Sequence, residues 1–237
     1  MVARDTRAAE DNRRIAAFAA FAIAALPFYL IVPRVIGMAL GAQDPTGSPL
    51  DVQVAEVVAH PNVYASFGLL SLIVGSSLIV LALALHGHLR TTAPFAMRIA
   101  TTTGVIAGAL FLLAGFGPIT TARALPELHA QDQAAAIAMY VINQSVTDRQ
   151  IVTSTVLFGA FAFIASLLGA RAGLFPRALS YLGALAGIVF VGDLLVPGLW
   201  LAGLLVMIVW SAWLGVALLR GGRHVTPAPE ETMLGRA

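Results

Sequence analysis

Residues 63–85 read VYASFGLLSLIVGSSLIVLALAL, a run without one Asp, Glu, Lys, Arg or His. As a helix at 1.5 Å per residue it would be about 34 Å long, and the hydrocarbon core of a bilayer is about 30 Å thick. In lipid, every backbone N–H and C=O must be bonded inside its own helix or around a closed barrel. A barrel strand would alternate apolar and polar positions over about ten residues, and this run does not alternate. It reads as a transmembrane helix.

Five more stretches have the same character, at 15–32, 99–117, 151–170, 178–196 and 199–219. None contains Lys, Arg or Glu, and only 178–196 contains an acid, Asp193. The expected fold is therefore all-α: a polytopic membrane bundle of six transmembrane helices, with residues 1–237 forming one membrane domain. Composition agrees. The chain is 59% hydrophobic and 11% charged, with a mean hydropathy of +0.87, whereas soluble domains carry about 25% charged residues. There is too little polar surface to cover a water-soluble globule.

Arginine placement orients the helices, because cytoplasmic flanks carry the basic excess. With the N-terminus inside, only Arg34, Arg123 and Arg149 fall outside, and the other basic residues lie on the cytoplasmic side. Both termini are expected in the cytoplasm. All 14 basic residues are arginine, and cysteine is absent. Such usage, with abundant Ala, Gly, Leu and Val, points to a GC-rich bacterial genome and hence to a cell inner membrane. It removes disulfides, thiolate metal sites and lysine imine chemistry. The net charge of +2 is spread over helix ends and forms no basic patch, which argues against nucleic acid as a partner. A rival reading of the first stretch is a signal peptide cleaved near Ala39-Leu40-Gly41. Its apolar run is longer than the usual 7–15 residues, and Pro33-Arg34 separates it from that site.

Two segments of about 30 residues are expected outside the membrane, each with a short helix. In the first, Asp44-Pro45-Thr46-Gly47 signals a turn. Ser48 then serves as a cap, with Pro49 at the first helical position. Leu50, Val54, Val57 and Val58 follow on one helical face, and His60-Pro61 ends the helix. In the second, Pro118 to Gln150, helical spacing runs from Glu127 to Asn143. These helices either form a lid over an outer cavity or cap the bundle. Residues 1–12 and 221–237 are polar and read as mobile, the latter as a flexible tail.

Candidate site residues are few. Gly104-x-x-x-Gly108, Gly183-x-x-x-Gly187 and Ser211-x-x-x-Gly215 let helix backbones approach closely, within the chain or against a second copy or another membrane protein. The histidines (His60, His86, His88, His129 and His224) avoid the middle of every span, so no haem or metal site is expected. The serines Ser76 and Ser77 have no intramembrane histidine to act as base. Trp200 suits an aromatic belt, while Trp210 is deep enough to fill the core or touch lipid. Asp193 is the one ionisable group inside a span and needs a partner. Arg34 and Arg149 flank spans on its side of the membrane and are the candidates for an ion pair.

Some of these residues also carry a resemblance: Arg13-Arg14-Ile15 opening the first helix, Leu81–Arg90, Met97-Arg98-Ile99, and Arg171-Ala172-Gly173-Leu174-Phe175-Pro176-Arg177 leading into Leu182-Gly183-Ala184-Leu185-Ala186-Gly187. The chain resembles a bacterial family of six-span inner-membrane proteins known only as a domain of unknown function. That resemblance implies the six-helix fold and supplies no catalytic residues. The expected role is non-enzymatic and cofactor-free, with membrane lipids as partners. The chain would be an accessory or structural subunit, or the holder of a lipid-like apolar ligand. The alternative is a small-solute transporter or channel with an outer vestibule near Asp193.

Overall fold

The structure is a computed structural model that describes residues 2–25, 48–196 and 198–220. Among the described residues there are seven helices and no strand: α1 Val2–Ala24, α2 Leu50–Ala59, α3 Pro61–Leu89, α4 Pro94–Gln131, α5 Gln133–Arg171, α6 Arg177–Gly192 and α7 Trp200–Arg220. Proline sets several starts. Pro61 and Pro94 occupy the first turn of α3 and α4, where the missing N–H costs nothing. At the other end of α5, Gly173 adopts φ +68°, a conformation that side chains disfavour, and the chain reverses into Pro176 and α6.

The six long helices form a closed ring in chain order. α3 packs on α4, α4 on α5, α5 on α6 and α6 on α7; α1 closes the ring by touching both α7 and α3. Short connections between antiparallel neighbours produce this order. The middle of the ring is filled. Leu78, Leu81, Leu85, Phe158, Phe161, Trp210 and Leu214 are all buried in one apolar cluster. Trp210 meets the Phe158 ring edge-on at 6.4 Å, and Phe158 stacks on Phe161 at 6.5 Å.

Four of these helices, α3, α4, α5 and α7, are long and apolar enough to cross a membrane. α6 is apolar but has 16 residues, about 24 Å at the helical rise. The stretch 15–32 is described only as far as residue 25, within and just beyond α1. α1 itself starts at Val2, so the polar segment before residue 12, expected to be mobile, is helical.

The second outer segment also differs from expectation. Residues 118–150 are no loop with a short helix in it. α4 runs unbroken through Pro118 and Pro126 to Gln131, and α5 starts at Gln133. Each proline forfeits one backbone bond, but Pro118 is buried and the packing of α4 on both neighbours holds the helix through it. The reversal falls at Asp132, which has extended dihedrals and whose carboxylate accepts the Ala135 N–H at 3.0 Å. α4 and α5 are about 57–58 Å long, nearly twice the hydrocarbon thickness. No Asp, Glu, Lys or Arg lies between Arg98 and Arg123 on α4 or between Arg149 and Arg171 on α5. The rest of each helix, on the Asp132 side, stands clear of that charge-free band.

α2 crosses this projecting hairpin. Val54 and Val57 bury against Leu125, Ala136 and Tyr140, forming a second apolar core separate from the main one. The expected cap at Ser48 is not made: Pro49 is the capping residue and has no side-chain bond. Ser48 contributes its carbonyl instead, accepting the Gln53 Nε2–H at 2.7 Å.

Candidate functional site

The charge-free band is closed by backbone contact. Gly68 lies against Gly115 and Gly75 against Gly108, across α3 and α4; Gly159 lies against Gly187, across α5 and α6. Gly104 faces Ala82 of α3 and Phe161 of α5, and Gly183 faces Ser166 and the Trp210 indole. The four glycines of the two Gly-x-x-x-Gly spacings therefore face neighbouring helices. So does Gly215, against Phe21, while Ser211 is buried with no partner for its hydroxyl among the described residues. The Trp210 Nε1–H donates to the Ser166 hydroxyl at 3.0 Å, so this buried indole is satisfied within the bundle.

Polar chemistry gathers instead in the projecting hairpin. The Tyr64 hydroxyl donates to Gln144 Oε1 at 3.1 Å, and Gln144 Nε2 donates to Asp148 Oδ1 at 3.1 Å. The Tyr140 hydroxyl donates to Gln53 Oε1 at 3.1 Å, and Asn143 Nδ2 donates to Thr121 Oγ1 at 3.0 Å. The two tyrosine rings lie 6.2 Å apart. Together these side chains join α2, α3, α4 and α5 into one cap. The Glu56 carboxylate and the His60 imidazole lie 3.6 Å apart at the end of α2.

The cap carries two exposed features. Along α5, Ala138, Val141, Ile142, Ser145 and Val146 share one face at helical spacing, with Ile142 63% and Val146 49% exposed. Asp148 and Arg149 separate this face from the charge-free band below. Between α3 and α4, a groove of about 270 Å³ runs beside Asn62, Ala65, Leu69, Ile119 and Arg123.

Asp193 lies just past the end of a helix rather than within one. α6 ends at Gly192, and Asp193 caps it, accepting the Gly198 N–H at 3.1 Å across the turn into α7. Gly198 has φ +103°, so this bond fixes a turn that suits glycine. Arg34 lies outside the described residues, as do Ala39-Leu40-Gly41, residues 44–47, His224 and the 221–237 tail. Among the described residues Arg14 pairs with Glu10 and the His60 imidazole stands beside Glu56, and neither contact includes Arg149. Near the opposite end of the bundle, the Thr101 hydroxyl donates to the Met97 carbonyl and stands 2.9 Å from His86 Nδ1. Among the described residues no group of His, Asp or Glu could hold a metal ion.

Sequence reading missed Tyr64, Tyr140, Gln53 and Gln144. Their partners lie far along the chain, and no spacing announces them. The hairpin itself had a signal. Asp132 precedes the strong helix formers Gln133-Ala134-Ala135-Ala136, and Asp is a preferred N-cap.

A filled ring of apolar helices with a polar cap defines an all-helical protein of membrane-embedded character. The chain belongs to the family described as a domain of unknown function, DUF4386, whose model matches residues 16–222. No curated protein and no solved structure matches it.

Proposed function

We propose that this protein is a non-enzymatic, six-span accessory subunit of a bacterial inner membrane, with both termini cytoplasmic and the cap on the outer face. The observation that carries the reading is the apolar face of α5 at Ala138, Val141, Ile142 and Val146. The charge-free stretch between Arg149 and Arg171 is already about 33 Å long and accounts for the hydrocarbon core. The exposed face therefore lies above the lipid, where a contiguous apolar patch marks a surface for another protein. One further feature favours this over transport. A transport path needs polar groups near midplane, whereas this ring is filled by Phe158, Phe161 and Trp210.

The test places a photoreactive amino acid at Ile142, with Gln133 at the hairpin tip and lipid-facing Ile106 as comparisons, in cells carrying the native chain. The reading expects one discrete protein adduct from position 142 that neither comparison gives. It also expects Ile142→Arg to dissociate that complex without lowering the melting temperature of the purified protein. If position 142 yields no protein adduct, or the same adducts as position 106, the accessory-subunit reading fails.

A further inference from the structure

The groove between α3 and α4 has a defined depth. Arg98 and Arg123 bracket the charge-free part of α4, about 37 Å apart along its axis. A bilayer is about 30 Å thick in its hydrocarbon and about 40–45 Å with headgroups. The two guanidinium groups therefore fall among headgroups of opposite leaflets, Arg123 at the phosphate level on the cap side.

Below Arg123 the surface turns apolar in a continuous track. Phe116, Ile119 and Arg123 recur at i, i+3 and i+7, one stripe of α4. Leu69 and Ile73, four residues apart, run beside it on α3. Phe116, Leu69 and Ile73 are all exposed, while Ala65 and Ala122 keep the groove open between the stripes. Among the described residues no carboxylate pairs with Arg123. Glu127, one turn further on, takes Gln131 instead. The site thus offers an uncompensated planar cation and an amide above an apolar channel.

We propose that this groove retains one anionic phospholipid of the cap-side leaflet. Its phosphodiester would sit on the Arg123 guanidinium, which matches two phosphate oxygens at once, with the Asn62 amide at the rim. The upper part of an acyl chain would lie along Leu69, Ile119 and Phe116. This site uses α3 and α4 and is independent of the α5 face assigned to a partner protein.

The test is native mass spectrometry of the purified full-length protein after delipidation, titrated with phosphatidylglycerol, phosphatidylcholine or inorganic phosphate. One phosphatidylglycerol per chain should bind, with phosphatidylcholine, whose choline ammonium already neutralises the phosphodiester that Arg123 would hold, about tenfold weaker. Arg123→Gln should erase that preference. Ala65→Trp, which fills the groove and leaves the arginine in place, should abolish the tight site. Arg149→Gln, a cation without a groove, should behave as the parent. The proposal is overturned if Arg123→Gln keeps the preference, if Ala65→Trp binds like the parent, or if inorganic phosphate competes fully for the site. Saturation by many equivalent lipids, with no tight first one, would overturn it too.

Discussion

Gly75 and Gly108 meet backbone against backbone: a Cβ added to Gly108 would stand 2.7 Å from the Gly75 carbonyl oxygen, and one added to Gly75 would stand 2.5 Å from that of Gly108. Neither approach is tolerable for a real side chain. Helices in lipid gain no hydrophobic drive from association, so such close packing is what holds them. Gly187 repeats the arrangement, its absent Cβ facing the Gly159 carbonyl at 2.6 Å.

Gly108→Leu and Gly187→Leu should each destabilise the bundle by at least about 1–3 kcal/mol, the usual cost of overpacking. Gly87 is the control, since nothing lies within 4 Å of its added Cβ. Gly87→Ala should stabilise slightly, by about 0.5–1 kcal/mol, through lost backbone freedom in the unfolded chain. Thermal melts in detergent check all three. Leucine variants that melt like the parent would show that these contacts are not formed.

The Trp210–Ser166 bond makes a second prediction. Ser166→Ala should cost about 1–3 kcal/mol, because it leaves a buried indole N–H unpaired. Ser166→Thr keeps the hydroxyl but adds a methyl beside Gly183, so it should cost through crowding instead. A shift in tryptophan fluorescence in Ser166→Ala, with the melt, distinguishes the lost bond from general loosening.

The apolar stretches were legible because lipid imposes one rule on length and one on charge, and both can be read residue by residue. The ring order of the helices was not. It depends on pairs such as Gly68–Gly115 and Gly159–Gly187, whose partners no local pattern names. The projecting hairpin was misread for a specific reason. Pro118 and Pro126 are breakers by local chemistry, and their neighbourhood is polar enough to pass for a loop. Packing on α3 and α5 carries the helix through Pro118, and the contacts of Leu125 with α2 and α5 hold it beside Pro126. Asp193 was read as part of a helical span because the apolar run continues through Leu194-Leu195-Val196, although the helix itself ends at Gly192.

The cap should respond locally when its polar links are cut. Tyr140→Phe removes the bond to Gln53 and should cost about 0.5–1.5 kcal/mol. Hydrogen exchange should quicken in residues 50–59 before it quickens in α4 or α5. Equal protection of α2 in parent and variant would mean that Val54 and Val57 alone hold it.

Asp193 should behave as a turn residue. Asp193→Asn keeps an oxygen that can accept the Gly198 N–H and should retain the fold, whereas Asp193→Ala leaves that N–H without its acceptor and should lower the melting temperature further. If the asparagine variant is as damaged as the alanine one, the negative charge itself is needed. That result would point to the ion pair expected with Arg34.

The most direct test of the outer cap uses the absence of native cysteine, which makes every introduced thiol a unique label. Single cysteines at Glu127, Gln133 and Ser145 should react with a membrane-impermeant maleimide added to intact spheroplasts. Cysteines at Ile106 and Leu167 should resist it, and one at Arg90 should react only after the membrane is opened. Labelling at 127 and 133 that also requires opening would invert the orientation, and protection at 127, 133 and 145 even after opening would contradict a cap standing clear of the bilayer.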